Sequence, residues 1–180
     1  MSEPTYDVVL LIEQPLSALD ARQVRGLHEE VDQPVRYHVL LPVEDAAARV
    51  ESAMGSVATS EVILTPSLAM DDLQLEEAQR ELLERARAEL SACLERLHET
   101  GADAVGEIVS VDPIDALSAK VSEVDGREAI ILTRSHVVAE FFHLDWTSRA
   151  RRKIGVPVLH LLEHESFDEQ AGGGEGVTGM

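Results

Sequence analysis

In Asp7-Val8-Val9-Leu10-Leu11-Ile12 the five residues after Asp7 form an unbroken apolar run rich in branched residues. A strand with one wet face alternates apolar and polar residues. This run does not, so it reads as a strand buried on both faces, the environment of a parallel sheet. Parallel neighbours need a crossover of a dozen or more residues, usually a helix. The sequence supplies one: Leu19, Val24, Leu27 and Val31 recur at helical spacing, Ser17 is placed to cap the helix, and Gln33-Pro34 ends it. Val35 to Val43 is the next strand, with Tyr37, Val39 and Leu41 on one face. The two strand starts lie about 28 residues apart, enough for a βαβ unit.

The same alternation continues. Glu44 to Met70 carries no clear pattern and reads as an excursion. Asp71 to Thr100 is the strongest helix, with Leu75, Ala78, Leu82, Ala86, Leu90, Cys93 and Leu97 in one apolar stripe and Gly101 at its end. Ala104 to Val111 is the third main strand. Asp112-Pro113-Ile114-Asp115 is a helix start: Asp112 caps, Pro113 takes the first turn, and Asp115 is a short version of the capping-box acid. Asp125-Gly126 is a turn before the fourth strand, Ala129 to Thr133. A helix follows over Val137 to Lys153, then a fifth strand, Val156 to Leu162. This order predicts an α/β fold, a doubly wound open sheet with helices on both faces. It forms one domain over residues 1–164, and the acidic, Gly-rich residues 165–180 read as a disordered tail.

The bulk numbers exclude several roles. The chain has 180 residues and a formal charge of −19, so long-range repulsion argues against nucleic acid as a partner. No apolar run approaches the roughly 18 residues of a membrane helix, and the start has no basic region before an apolar stretch. The expected compartment is the cytoplasm. Cys93 is the single cysteine, so no internal disulfide forms; it reads as a small buried hydrophobe.

In doubly wound sheets, ligands sit beyond the carboxyl ends of the strands where the winding reverses. That directs attention to Glu13, Asp112, Thr133, Arg134, Ser135 and His136 as a candidate cleft. Each residue also has a plainer reading: Glu13 as a solvated loop acid, Asp112 as a helix cap, Arg134 as a partner for a surface acid. Arg149, Arg151, Arg152 and Lys153 complement a helix C-terminus. Phe141, Phe142 and Trp146 read as core. No metal set emerges, since His160 and His164 on one strand would lie ~13 Å apart. No nucleophile elbow surrounds Ser135-His136 and no Walker motif is present, so no enzyme is expected.

Val111-Asp112-Pro113 before a helix, the Glu99-Thr100-Gly101 helix end, the AIILTRSH segment beginning at Ala129 and the closing Val156-Pro157-Val158-Leu159 occur in an order that resembles the universal stress protein family over about residues 6 to 163. The resemblance implies strand order 3-2-1-4-5 and dimers through the last strand, here Val156 to Leu162. It also implies a glycine loop for ATP after the fourth strand. This sequence departs there: residues 133–147 hold no glycine. Glycines let backbone N–H groups approach phosphates without an intervening Cβ, whereas Val137, Val138 and the two Phe residues are bulky. Ser135 and His136 match residues often found beside the family's first loop glycine, and Glu13 stands where the family has an Asp that can touch a ribose. The expectation is a dimeric stress-response or regulatory binding module with no cofactor, ATP being doubted. The alternative is a nucleotide- or anion-binding switch with an altered site at the carboxyl ends of strands 1 and 4, using Glu13, Arg134 and Ser135.

Overall fold

The structure is a computed structural model and describes residues 4–43, 72–133 and 152–162. The elements run β1 (Tyr6–Ile12), α1 (Ala18–Gly26), β2 (Val35–Pro42), α2 (Asp72–Glu99), β3 (Asp103–Val109), α3 (Pro113–Glu123), β4 (Glu128–Thr133) and β5 (Val158–Leu162). The strands form one sheet in the order β3-β2-β1-β4-β5, all pairs parallel. The apolar run read first is the central strand: Leu10 pairs with Val39 on one side and with Ile130 on the other. Val8, Val9, Leu10 and Ile12 are fully buried.

Alternation along β1 divides the core in two. Val8, Leu10 and Ile12 face α1 and α2, packing with Val24, Tyr37, Val39, Leu90, Cys93 and Leu97. Val9 and Leu11 face α3, packing with Leu40, Leu117, Val121, Ile131 and Val158. Helices on both faces follow from the winding, which runs outward from β1 to β3 and then returns across the sheet to β4.

Several boundaries differ from the sequence reading. The first helix stops at Gly26 instead of running to Gln33-Pro34. There the chain tightens into i→i−3 turns, with the His28 amide donating to the Arg25 carbonyl and the Val31 amide to the His28 carbonyl. Side chains of His28 and Tyr37 take over the Val24 carbonyl that a continuing helix would use. The third strand ends at Val109 instead of Val111, because the chain must leave the ladder to place Asp112 at the head of α3. The fifth begins at Val158 instead of Val156, since Pro157 has no N–H to give the ladder, although its carbonyl accepts from Ala129. Along α2, Ala86, Leu90, Cys93 and Leu97 are buried as the stripe predicts. Gly101 ends α2 at φ +80°, where a side chain is disfavoured. The excursion read over Glu44 to Met70, the helix over Val137 to Lys153 except its last residues, and the tail lie outside the described residues.

Two contacts yield predictions. A Cβ on Gly106 of β3 would lie 2.7 Å from Leu90 Cδ1 and 3.2 Å from the Val39 carbonyl oxygen. Gly106→Ala is therefore expected to destabilise the fold by about 1–3 kcal/mol in urea denaturation, less in a Leu90→Ala background. At the amino edge of the sheet, Asp7 accepts from Thr5 Oγ1 at 2.6 Å and lies 2.7 Å from His38 Nε2. Burial alone would raise the Asp7 carboxyl, but these bonds outweigh it and hold it below its ordinary 3.8. A carboxylate with a depressed native pKa adds stability above its unfolded value that is lost as pH falls through the folded one. Asp7→Asn should thus lower stability at neutral pH and flatten the loss of stability below about pH 4, followed by denaturation at a series of pH values.

Candidate functional site

Because every strand points the same way, all carboxyl ends lie along one edge. The winding reverses between β1 and β4, which places any cleft over those two strands. Glu13 is the first residue past β1, and its amide donates to the Leu132 carbonyl at 3.2 Å. Ile12 pairs with Leu132, so Glu13 and Thr133 follow one another out of the sheet side by side. Thr133 itself pairs with Leu162 of β5. The structure thus brings Glu13 and Thr133 together. Asp112 departs from β3, two strands away in sheet order. Arg134, Ser135 and His136 lie outside the described residues.

Asp112 has a defined local task. Its Oδ1 accepts the amides of Ile114 at 2.9 Å and Asp115 at 3.1 Å, capping α3. α1 begins in a comparable way beside Glu13: the Asp20 amide donates to Ser17 Oγ at 3.1 Å, and the Ser17 amide donates to Asp20 Oδ2 at 2.7 Å. Asp20 is fully buried. This is a reciprocal capping box, with Asp in the role usually filled by Glu. Both helix starts therefore carry a carboxylate of the chain itself. A phosphate approaching either would meet negative charge where open helix termini offer free N–H groups.

The Glu13-bearing loop is fastened from α2. The Leu16 amide donates to Cys93 Sγ at 3.2 Å, and the Leu16 carbonyl accepts from Arg96 Nη1. Leu16 and Cys93 are fully buried. Cys93 is the small buried residue that the helical stripe implies, and it also holds the loop in place. Sequence reasoning missed this clamp. Cys93 and Leu16 are separated by 77 positions, and no local pattern links them. The sequence reading places Ser17 as the cap of this helix but does not include Asp20, whose position three residues on completes the capping box. Lys153 pairs with Asp115 in the first turn of α3.

His160, on β5, is held below its ordinary value by burial. Among the described residues, no group of three or more His, Cys, Asp or Glu is arranged to hold a metal ion, and no helix is long and apolar enough to cross a membrane.

No family model matches the sequence, and no curated protein matches it either. Solved structures do. The chain is similar to the hypothetical protein MJ0577, with TM-score 0.58 and 14% identity, over 89% of this chain and 99% of that one. It is also similar to a universal stress protein from Archaeoglobus fulgidus, with TM-score 0.46 and 17% identity, over 86% of this chain and 93% of that one. A third is a universal stress protein family protein from Arabidopsis thaliana with AMP bound, with TM-score 0.48 and 14% identity, over 92% of this chain and 95% of that one. At such identities a likeness speaks for architecture alone, and the chain has a five-stranded, doubly wound α/β fold similar to that of MJ0577.

Proposed function

We propose that this chain is a universal stress protein family member that acts as a dimeric binding or regulatory module in a stress response, without holding ATP and without catalysis, in the cytoplasm. The observation that carries the reading is the occupation of both helix starts at the carboxyl edge, α1 by Asp20 and α3 by Asp112. The glycine-free residues 133–147 support it from the sequence. A triphosphate would need backbone N–H groups free of Cβ atoms, or cations in excess of the acids. The chain's −19 charge works against both triphosphates and nucleic acids.

The dimer reading has its own support. β5 is a terminal strand of the sheet, and Leu159 on it is 38% exposed. An apolar edge strand in a stable protein is usually covered. The proposed cover is the same strand, Val156 to Leu162, of a second copy.

Calorimetry on nucleotide-free protein should show no ATP binding at low micromolar concentration. Binding that weakens in Arg134→Ala would favour instead the switch that uses Glu13, Arg134 and Ser135. Sedimentation should show a dimer that Leu159→Glu converts to monomer with its circular dichroism intact. A monomeric parent chain at high micromolar concentration would remove the dimer from the proposal.

A further inference from the structure

The end of α1 carries a second polar cluster, at the edge opposite the candidate site. In an uninterrupted helix the Val24 carbonyl would accept the His28 amide. That amide donates instead to the Arg25 carbonyl, at 3.2 Å. The Val24 oxygen is left to two side chains: His28 Nδ1 at 3.1 Å and the Tyr37 hydroxyl at 3.2 Å. Those two groups are themselves 2.8 Å apart. The other ring nitrogen, His28 Nε2, is bonded to the Glu128 carboxylate. The His28 side chain is 3% exposed, so water does not substitute for a missing partner.

Counting protons decides which bonds this cluster can hold at once. An imidazolium donates from both nitrogens. Nε2–H then serves Glu128, Nδ1–H serves the Tyr37 oxygen or the Val24 carbonyl, and the Tyr37 hydroxyl is free to donate to Val24. Every acceptor receives a proton. A neutral ring protonated on Nε2 keeps Glu128 but needs a donor at Nδ1. The Tyr37 hydroxyl is in reach, and by turning to Nδ1 it abandons the Val24 carbonyl. A neutral ring protonated on Nδ1 keeps Val24 but aims a lone pair at a carboxylate. Each neutral arrangement leaves one buried acceptor unserved or opposed, a state that buried polar groups avoid.

We propose that His28 is a proton-operated C-cap of α1: gain of a ring proton fastens the helix's last turn through Val24, and its loss releases that turn. The groups facing the ring come from every strand around it. Tyr6 of β1 lies 5.9 Å away, centroid to centroid, and donates to the second Glu128 oxygen at 3.4 Å. Tyr37 of β2 meets the ring edge-on at 5.4 Å. Glu128 of β4 is 25% exposed and gives protons a way in from solvent. From α1 itself, the Arg25 guanidinium lies within hydrogen-bond reach of the Tyr37 hydroxyl, and its Nη1 is buried without a partner among the described residues. Burial, opposed by Arg25, pushes that hydroxyl up to about 12, so it keeps its proton while the ring changes state. A cationic ring at a helix C-terminus is also favoured by the helix dipole. Because α1 starts in the capping box beside the Glu13 loop, releasing its far end loosens the helix that frames the candidate site.

The test is nuclear magnetic resonance of the labelled full-length chain across a pH series, reading the His28 ring nitrogens and the exchange protection of the amides in the last turn of α1. In the parent protein, protection in that turn should fall as the ring loses its proton. Glu128→Gln offers Nε2 an amide donor, so a neutral ring can cap Val24 from Nδ1. The ring should then titrate at lower pH, and protection should lose its pH dependence. Tyr37→Phe removes the hydroxyl that faces Nδ1, so the ring should hold its proton to higher pH. A ring that stays in one state throughout, protection that does not follow the ring, or variants that move the titration in the same direction or not at all would each overturn the proposal. If a variant fails to fold, the parent protein's ring and exchange measurements decide the question alone.

Discussion

The fold depends on one strand being buried on every side. β1 shares backbone hydrogen bonds with β2 and β4 and buries both faces, so its side chains belong to two separate cores. The run Val8 to Ile12, with no polar position, satisfies that demand, which parallel pairing under helices on both sides creates. The other elements follow from serving β1. α1 and α2 cover one face and α3 the other, and the crossovers that connect them place every strand's carboxyl end at one edge. The same arrangement leaves β3 and β5 as terminal strands. β3 sets Asp103 and Glu107 beside its exposed Val105, and β5 carries the partly exposed Leu159.

The carboxyl edge is thus given by topology, but its chemistry is set by small choices. At α1 the Ser17 hydroxyl takes the Asp20 amide and Asp20 takes the Ser17 amide, and at α3 Asp112 takes the amides of Ile114 and Asp115. Cys93 and Arg96 hold Leu16, and through it the turn that carries Glu13. The edge is ordered by bonds within the chain itself. At the opposite edge, polar groups enter the sheet margin: Asp7 with His38 on the face of α3, and His28 with Tyr37 and Glu128 beneath α1. Asp7, His38, His28, Tyr37 and Glu128 each find a partner there, whereas Arg25 Nη1, at the end of α1, is buried without one among the described residues.

Much of this was legible from residue order. The DVVLLI run, the stripe from Ala86 to Leu97, the Asp112-Pro113 start and the turn at Asp125, whose φ is +52°, are local signals, and each marks what it appears to mark. Of the candidate site residues, Glu13 and Thr133 fall together because strand ends were read correctly. What failed was length. Leu27 and Val31 continue the spacing of α1, yet the helix stops at Gly26, because apolar spacing records which residues face inward and a tight turn can satisfy it as well as a helix.

The sequence by itself determined the α/β class, the parallel sheet and the succession of its elements, since each is written in patterns a few residues long. The tertiary structure decided which distant residues meet: Cys93 with Leu16, Glu128 with His28, Gly106 with Leu90. Such contacts join positions tens of residues apart, and the bond each makes depends on a neighbour that only folding brings within a few ångströms.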